Sequence, residues 1–599
     1  MTISQSPKLS DEEEKITLKH SNEKVVISDI YEQKYISPCA NACPAGINIP
    51  GFLALIAAGR HLDAYKVMRR NNPLSSMCGR VCPHPCEDQC RRAEIEKEDA
   101  LNICVLKSFA ADTVKGKGGL EEKCLPNTRK RVAIVGAGPA GLTCAYFLRR
   151  MGHNVTIYES LPVPGGMGAV GIPEYRLPME GILWEVGLIE QLGVKIIYNT
   201  TVGKDITFNE LQKKNHAVFL STGLPKGNYI GLEGEHAIEV YQAVDFLIDL
   251  KLAIYNKTEP PKVGERVVVV GGGNVAVDAI RSAKRLGAKE LTLVCLEQRE
   301  EMPAWDHEIA ACTDEDIGIN NGWGPEAILT TKDNHVRKIV FKQCTDVFDE
   351  SGRFSPQYCE DENVEYDVDT VIMAIGQSPN VSYLKDVEGL TWFRKDRWLS
   401  AEKYTQKAGL PGVFAGGDML KPGLMIECIG HGRTAAQSID KYLGGTGKLF
   451  IKDDVVIPLP PLDPHNWAVK RQHVDEISER ERDTTFKEIS LGLNNKSGLI
   501  ETTRCIGCAI MQIDRDKCIG CGTCIKNCPS QAIAFNIVTK HFVFGERKIR
   551  KAVIDPKLCL CCGLCGSECP VNAISTVNWN DKLYFEEIAQ FSKQTGERN

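Results

Sequence analysis

Lys130–Glu159 reads KRVAIVGAGPAGLTCAYFLRRMGHNVTIYE, and this stretch decides the fold. RVAIV is a short apolar run rich in β-branched residues, the pattern of a parallel strand covered on both faces. GAGPAG, Gly136–Gly141, follows directly and opens a segment with apolar residues at helical spacing. A second apolar strand then ends on Glu159. Gly136 permits the tight turn and Gly138 lets a pyrophosphate approach the backbone. Pro139 and Ala140 begin the helix, and Gly141 allows it to pack closely on the strand. The helix N-terminus presents unpaired N–H groups to phosphate. Glu159 is placed to accept hydrogen bonds from a ribose. The stretch therefore predicts a dinucleotide site in a strand–turn–helix–strand unit.

The same pattern returns at Arg266–Glu297, RVVVVGGGNVAVDAIRSAKRLGAKELTLVCLE. Here Gly271 and Gly273 make the turn, Asn274 and Val275 open the helix, and Ala276 replaces the third glycine, which the fingerprint tolerates. Repeated units of this kind imply parallel sheets covered by helices. Two dinucleotide sites in one chain suggest FAD at the first and a nicotinamide nucleotide at the second. VFAGGD, ending in Gly417 and Asp418, suits the ribityl or phosphate groups of a flavin. STG, with Thr222 and Gly223, and AIG, ending in Gly376, read as strand ends where the chain crosses between domains. The nicotinamide domain is thus expected to be inserted in the flavin domain.

Cysteine is the compositional outlier: 25 residues, clustered at both ends of the chain. CIGCGTCIKNCP, Cys518–Pro529, and CLCCGLCGSECP, Cys559–Pro570, each space four thiols as Cys-x2-Cys-x2-Cys-x3-Cys-Pro. This is the run by which bacterial ferredoxins hold 4Fe–4S clusters, the fourth cysteine reaching across to the other cluster. It predicts Cys518, Cys521, Cys524 and Cys569 around one cluster, and Cys528, Cys559, Cys562 and Cys565 around its twin. Zinc, the alternative, usually takes its ligands as two pairs. Cys561 is an extra thiol, read as packing or sulfur hydrogen bonding. Cys505 and Cys508 form a Cys-x2-Cys pair with no partner pair nearby. They either ligate a metal centre with cysteines from elsewhere or are spare. A second group comprises Cys39, Cys43, Cys78, Cys82, Cys86 and Cys90, whose x3 spacings put several on successive helical turns. Cys295, Cys312 and Cys344 are scattered, and read as packing residues.

Around these motifs the chain is that of an ordinary globular protein, 599 residues with 43% hydrophobic and 25% charged content. A net charge of −6 without a long Lys/Arg block argues against a nucleic-acid binder. No apolar run is long enough to span a bilayer, and the first residues are polar and acidic. A cytoplasmic location with reduced thiols is the expectation.

With NPLSSMCGRVCPHPCEDQC, GAGPAG, PGGMGAVGIPEYRLP, GGGNVAVDA, REEMPA and VFAGGD in place, residues from about 38 to 443 resemble the glutamate synthase small-subunit family of flavoprotein oxidoreductases. That family includes the large subunit of ferredoxin:NADP oxidoreductase and the N-terminal half of dihydropyrimidine dehydrogenase. The tail resembles a bacterial ferredoxin carrying two 4Fe–4S clusters. The combination is similar to the flavin subunit of Sporomusa-type electron-bifurcating complexes. The resemblance places Gly166, Met167 and Arg176 near the isoalloxazine or its phosphates. It also implies 4Fe–4S clusters on the N-terminal cysteines, in relatives often two. Relatives with two carry a further Cys-x2-Cys upstream, and none precedes Cys39 here. Six thiols supply one cluster, and two only with borrowed ligands, Cys104 being a candidate. Cys144 lacks a Cys-x4-Cys partner and reads as helix core. Family members selective for NADPH commonly carry an Arg pair where this chain has Leu296–Glu297. Glu297 would repel a 2′-phosphate and favour NAD(H), although Arg299 remains within reach of one.

The expected fold class is multidomain α/β. It runs as an arm (1–36), a helical iron–sulfur domain (37–128), a flavin domain in two parts (129–225 and 372–447) enclosing a nicotinamide domain (226–371), a linker (448–500), a ferredoxin-like α+β domain (501–580) and a tail (581–599). Flavin converts between the two-electron chemistry of nicotinamide and the one-electron chemistry of clusters. The expected function is an NAD(P)H oxidoreductase subunit passing single electrons to or from ferredoxin or partner subunits within a complex, which the resemblance implies to be of the bifurcating type. No general acid or base is singled out. The alternatives are the electron-input subunit of glutamate synthase and a non-catalytic relay scaffold.

Overall fold

The computed structural model describes residues 17–20, 23–26, 37–96, 99–394, 397–449, 455, 469–505, 508, 511–528, 531–542, 545–554 and 564–576. Two five-stranded parallel sheets form its centre. One runs in the order Val413–Ala415, Ala217–Leu220, Arg131–Val135, Asn154–Tyr158, Lys195–Ile197. The other runs Gly318–Asn321, Glu290–Cys295, Arg266–Val270, Thr370–Met373, Val240–Gln242. Every strand of the second sheet lies in sequence between two neighbours of the first, Ala217–Leu220 and Val413–Ala415. The second domain is therefore an insertion in the first. A short antiparallel ribbon, Lys226–Gly227 with Gln377–Ser378, carries the chain out and back. A three-stranded antiparallel sheet, Trp323–Thr330, Val336–Phe348 and Phe354–Asp367, covers one side of the inserted unit.

The unbroken apolar runs become central strands because both faces are covered, in the inserted domain by helices on one face and the three-stranded sheet on the other. Residues 132–135 and 267–270 are all buried. The helices that follow, Pro139–Arg150 and Asn274–Arg285, both start on a glycine N-cap with no side-chain capping bond.

The N-terminal helices Pro38–Ala42, Ile49–Ala57, His61–Arg69, Ser75–Val81, Pro85–Asp88, Arg91–Glu96 and Ile103–Val114 do not form a separate body. Phe52, Met68 and Leu106 share one apolar core with Leu142, Phe147, Ile189 and Ile429 of the flavin domain. Glu185 of the flavin domain is fully buried and joins the two regions: it accepts the Tyr65 hydroxyl (2.9 Å) and the N–H groups of Ser76 (2.7 Å) and Met77 (3.1 Å). Desolvation pushes its carboxyl up to about 7.

The expected arm contains a hairpin, Thr17–His20 with Glu23–Val26. The expected linker contains helices Glu479–Arg482 and Asn495–Thr503. The latter crosses the 500/501 boundary and packs against Ile49–Ala57 rather than joining the ferredoxin-like core. That core pairs Met511–Ile513 with Ile574–Thr576 and adds a long hairpin, Ile533–Phe542 with Gly545–Ile554. Among the described residues no helix is long and apolar enough to cross a membrane.

Candidate functional site

At the flavin fingerprint the turn is as tight as its glycines require. A Cβ on Gly141 would stand 2.0 Å from the Gly136 carbonyl oxygen. Gly166, at φ +56°, brings the following loop so close that its own Cβ would meet Gly138 Cα at 2.8 Å. Gly138, Pro139 and Ala140 leave the first N–H groups of the helix without a capping side chain, the donor set a pyrophosphate takes up. Glu159 is buried at the end of its strand. Its carboxylate accepts Ala137 N–H at 2.6 Å, Leu161 N–H at 2.8 Å and Ser160 Oγ at 3.2 Å. Burial raises its pKa. Because a carboxylate has about four acceptor positions, it can hold the turn and still take a ribose hydroxyl.

On the opposite edge of the sheet Gly417 donates its N–H to His431 Nδ1 at 3.2 Å, and Asp418 accepts the Cys428 thiol at 3.1 Å. Burial pushes the Asp418 carboxyl up. Thr222 donates to Met419 Sδ at 3.8 Å, and Gly223 holds φ +63° at the strand end. Met167 starts a one-turn helix after Gly166. These residues fit an FAD: small or polar groups surround an uncapped helix start.

Arg176 is engaged elsewhere. Its guanidinium binds Asp278 at 2.7 Å and Glu308 at 2.5 Å, both in the inserted domain. Neighbouring Tyr175 lies under Arg285, 4.0 Å from guanidinium to ring centre. Lys251 reaches back to the Leu177 carbonyl and Glu174. The GIPEYRLP loop is thus a clamp between the two nucleotide domains, and sequence motif alone did not reveal its acidic partners.

At the second fingerprint Gly271 packs its Cα against the Ala374 carbonyl, which a Cβ would approach to 2.5 Å. Gly273 is the uncapped helix start, Asn274 Oδ1 accepts Trp305 N–H at 2.9 Å, and Val275 stands exposed beside the turn. Glu297 aims its carboxylate at the same turn: Oε2 lies 2.8 Å from where a Gly272 Cβ would be. Its backbone oxygen is fixed by Asn321 Nδ2 (3.0 Å) and Gly322 N–H (3.2 Å). Arg299, on the next turn, donates to Met302 Sδ at 3.6 Å. Gly376, at φ +94°, accepts Asn228 N–H at 3.1 Å at the mouth of the crossing ribbon.

The N-terminal thiols fall into two groups. Cys82 hydrogen-bonds to both Cys104 and Cys78; the Cys104 bond and burial push its thiol up to about 12 against the lowering effect of Cys78, and Cys104 bonds in turn to Cys86. Lys107 donates to Cys78 at 3.3 Å. Cys43 is buried at the end of helix Pro38–Ala42, which packs against the turn bearing Cys86. Cys104 and Lys107 lie three apart on one helix face, a spacing by which Lys107 could have been found in the sequence. The second group brings Cys39 and Cys90 to Cys505 and Cys508. Burial raises the thiol of Cys508, and the nearby Cys39, Cys505 and Cys90 raise it further. Such buried thiols suit a metal centre, which would hold them as thiolates.

In the C-terminal region Cys518, Cys521, Cys524 and Cys569 line one pocket. The internal repeat is visible in hydrogen bonds: Ala532 N–H donates to Cys528 Sγ and Ala573 N–H to Cys569 Sγ, both at 3.2 Å. Cys565 is buried in the same core. Cys559, Cys561 and Cys562 lie outside the described residues.

Three protein families match this chain. Residues 130–435 match pyridine nucleotide-disulphide oxidoreductase, residues 33–118 match dihydropyrimidine dehydrogenase domain II, 4Fe–4S cluster, and residues 517–573 match a 4Fe–4S dicluster domain. The NADPH-Fe(3+) oxidoreductase subunit beta of Geobacter sulfurreducens is 36% identical over 516 residues, covering 79% of this chain and 75% of its own. The NADP(+)-dependent formate dehydrogenase subunit beta of Moorella thermoacetica is 36% identical over 520 residues, covering 80% of this chain and 71% of its own. The glutamate synthase [NADPH] small chain of Halomonas elongata is 30% identical over 416 residues, covering 68% of this chain and 88% of its own.

Proposed function

The chain belongs to the pyridine nucleotide-disulphide oxidoreductase family, and on that premise we propose that it is the electron-entry subunit of a larger redox assembly, using NAD(H). It is an NAD(P)H-dependent flavin oxidoreductase with 4Fe–4S domains. Bound FAD supplies exchange of a hydride with nicotinamide and of single electrons with iron–sulfur clusters.

The protein's own part is placement. Gly136, Gly138, Pro139, Ala140 and Gly141 would receive the FAD pyrophosphate, Glu159 the adenosine ribose, and Gly417 with Asp418 the ribityl side. Gly166, Met167, Thr222 and Gly223 close around it. Gly271, Gly273, Asn274 and Val275 would receive the nicotinamide nucleotide, with Gly376 at the ribbon. The GIPEYRLP clamp holds the two sites in register through Arg176, Asp278 and Glu308. Four of the five thiols Cys43, Cys78, Cys82, Cys86 and Cys104 would hold one cluster. Cys518, Cys521, Cys524 and Cys569 would hold another, and Cys528 and Cys565, with Cys559 and Cys562, its twin.

One observation carries the preference for NAD(H): the Glu297 carboxylate faces the fingerprint turn, where it would accept both hydroxyls of a free ribose and repel a 2′-phosphate. The names of the Geobacter and Moorella relatives favour the second reading, NADP(H), for which Arg299 would be the partner. Anaerobic titration decides between them. NADH is expected to bleach the flavin at lower concentration than NADPH, and the reverse order overturns the preference. Flavin that neither nucleotide bleaches overturns the whole reading. The bifurcating complex that the resemblance implies is tested by copurification. Bound partner subunits are expected, whereas a lone homodimer turning over with soluble ferredoxin overturns it.

A further inference from the structure

Cys505 and Cys508 fall outside both iron–sulfur family matches, 33–118 and 517–573. The structure nevertheless buries their segment in the N-terminal region through a dense set of polar contacts. The Arg504 guanidinium, fully buried, donates to the carbonyls of Asp99 (2.6 Å), Val469 (3.0 Å) and Ala100 (3.1 Å) and to Glu501 (2.8 Å). Glu501, also fully buried, accepts the N–H groups of Asn102 (2.9 Å) and Gln472 (2.8 Å). Arg471 binds Glu87 at 3.1 Å and Asn102 at 2.7 Å. Gly498 lies flat on the Phe109 ring, with no room for a Cβ. A buried ion pair costs much in desolvation unless its remaining groups are satisfied, and here they are. The docking is therefore built; helix Asn495–Thr503 is capped by Arg504, and Cys505 follows with its N–H bonded back to the Thr502 carbonyl at 3.1 Å.

That docking sets four thiols against one another from three distant parts of the chain. Cys39 and Cys90 come from the N-terminal helices, and Cys505 and Cys508 from the segment just before the ferredoxin-like strand Met511–Ile513. Cations stand around them: Arg91 bears on Cys508 and Arg504 on Cys90. A 4Fe–4S cluster with four thiolates is anionic, so this surrounding charge suits it, as do a Cys-x2-Cys pair and two single thiols as ligands.

We propose that Cys39, Cys90, Cys505 and Cys508 ligate one 4Fe–4S cluster that ties the N-terminal helices to the C-terminal cysteine-rich region. It rests on the reading of the chain as an electron-transfer subunit, and it supplies the pair missing upstream of Cys39. The cluster replaces four S–H bonds by four Fe–S bonds and releases the thiol protons. By its place in the chain it is a relay between the flavin half and the ferredoxin-like tail.

The test uses the full-length protein purified anaerobically. The double variant Cys505→Ser/Cys508→Ser is expected to lose about four iron and four sulfide per chain, with one signal missing from the EPR spectrum of the reduced protein and the FAD content unchanged. Iron equal to that of the wild type, or zinc in place of the lost iron, overturns the proposal. Thiol labelling of the unaltered protein, read by mass spectrometry, decides should the variant not fold. Cys39, Cys90, Cys505 and Cys508 are expected to resist alkylation while iron is bound and to become reactive together when it is removed. Labelling of Cys505 and Cys508 in the iron-replete protein overturns it. Nucleotide bleaching of the wild-type flavin tests the preceding reading separately, so either can fail alone.

Discussion

Glu297 shows how one carboxylate sets a preference. Its backbone at the fingerprint turn is held by Asn321 and Gly322 on its own carbonyl oxygen, which sets where the carboxylate starts from. Glu297→Ala is expected to lower the NADH-to-NADPH ratio of kcat/KM by roughly tenfold, about 1.4 kcal/mol. An unchanged ratio would remove Glu297 from the site. Glu315 illustrates a structural carboxylate. Burial pushes its pKa up, but the guanidiniums of Arg285 and Arg281 (2.9 and 2.7 Å) more than reverse this and hold it at about 2. The unfolded carboxyl titrates near its ordinary value, 4.5. The pairing therefore contributes stability above that value and loses it as pH falls toward 2, about 3 kcal/mol in all. Urea unfolding of Glu315→Gln should show a loss of this size at neutral pH, narrowing toward the wild type on acidification. A loss independent of pH would contradict the assignment.

At the scale of elements, the two fingerprints differ at the third small position. The second unit carries Ala276, and its turn leaves room for the methyl group. The first cannot, because a Cβ at Gly141 would also meet Ser221 Oγ at 2.9 Å. Gly141→Ala is expected to reduce bound FAD several-fold, measured by flavin absorbance per chain, while iron content is kept. Iron lost in proportion to flavin would mean that the whole fold had failed rather than the turn. The ferredoxin-like elements repeat with similar economy. Cys524 and Cys565, Ala532 and Ala573, Ile533 and Ile574 are all buried in one core, each pair separated by the offset of the two cysteine runs.

For the whole molecule the important fact is that distant segments share cores. The N-terminal helices have no interior apart from the flavin domain, and residues 469–505 pack on them while also touching the nicotinamide domain through Asp483 and Phe486. Glu501→Ala removes the acceptor of two backbone N–H groups and one buried guanidinium. The expected cost is about 3–5 kcal/mol, seen as faster proteolysis within 469–505 and a lower unfolding midpoint. Cleavage at the wild-type rate would show that the docking contributes little.

The sequence by itself determined both nucleotide-binding units, the insertion of one in the other, and the paired cysteine runs of the tail. Those features are local: glycine turns, apolar periods and thiol spacings act over a few residues, and their physics is complete within a short window. Only the tertiary structure decided that Cys104 joins Cys78, Cys82 and Cys86, that Arg176 clamps Asp278 and Glu308, and that Cys505 and Cys508 meet Cys39 and Cys90. Each of these depends on segments that are far apart in the chain and are brought together by a shared core or a buried ion pair. No pattern of spacing records such a meeting, because burial is a property of the folded surface and not of any one stretch.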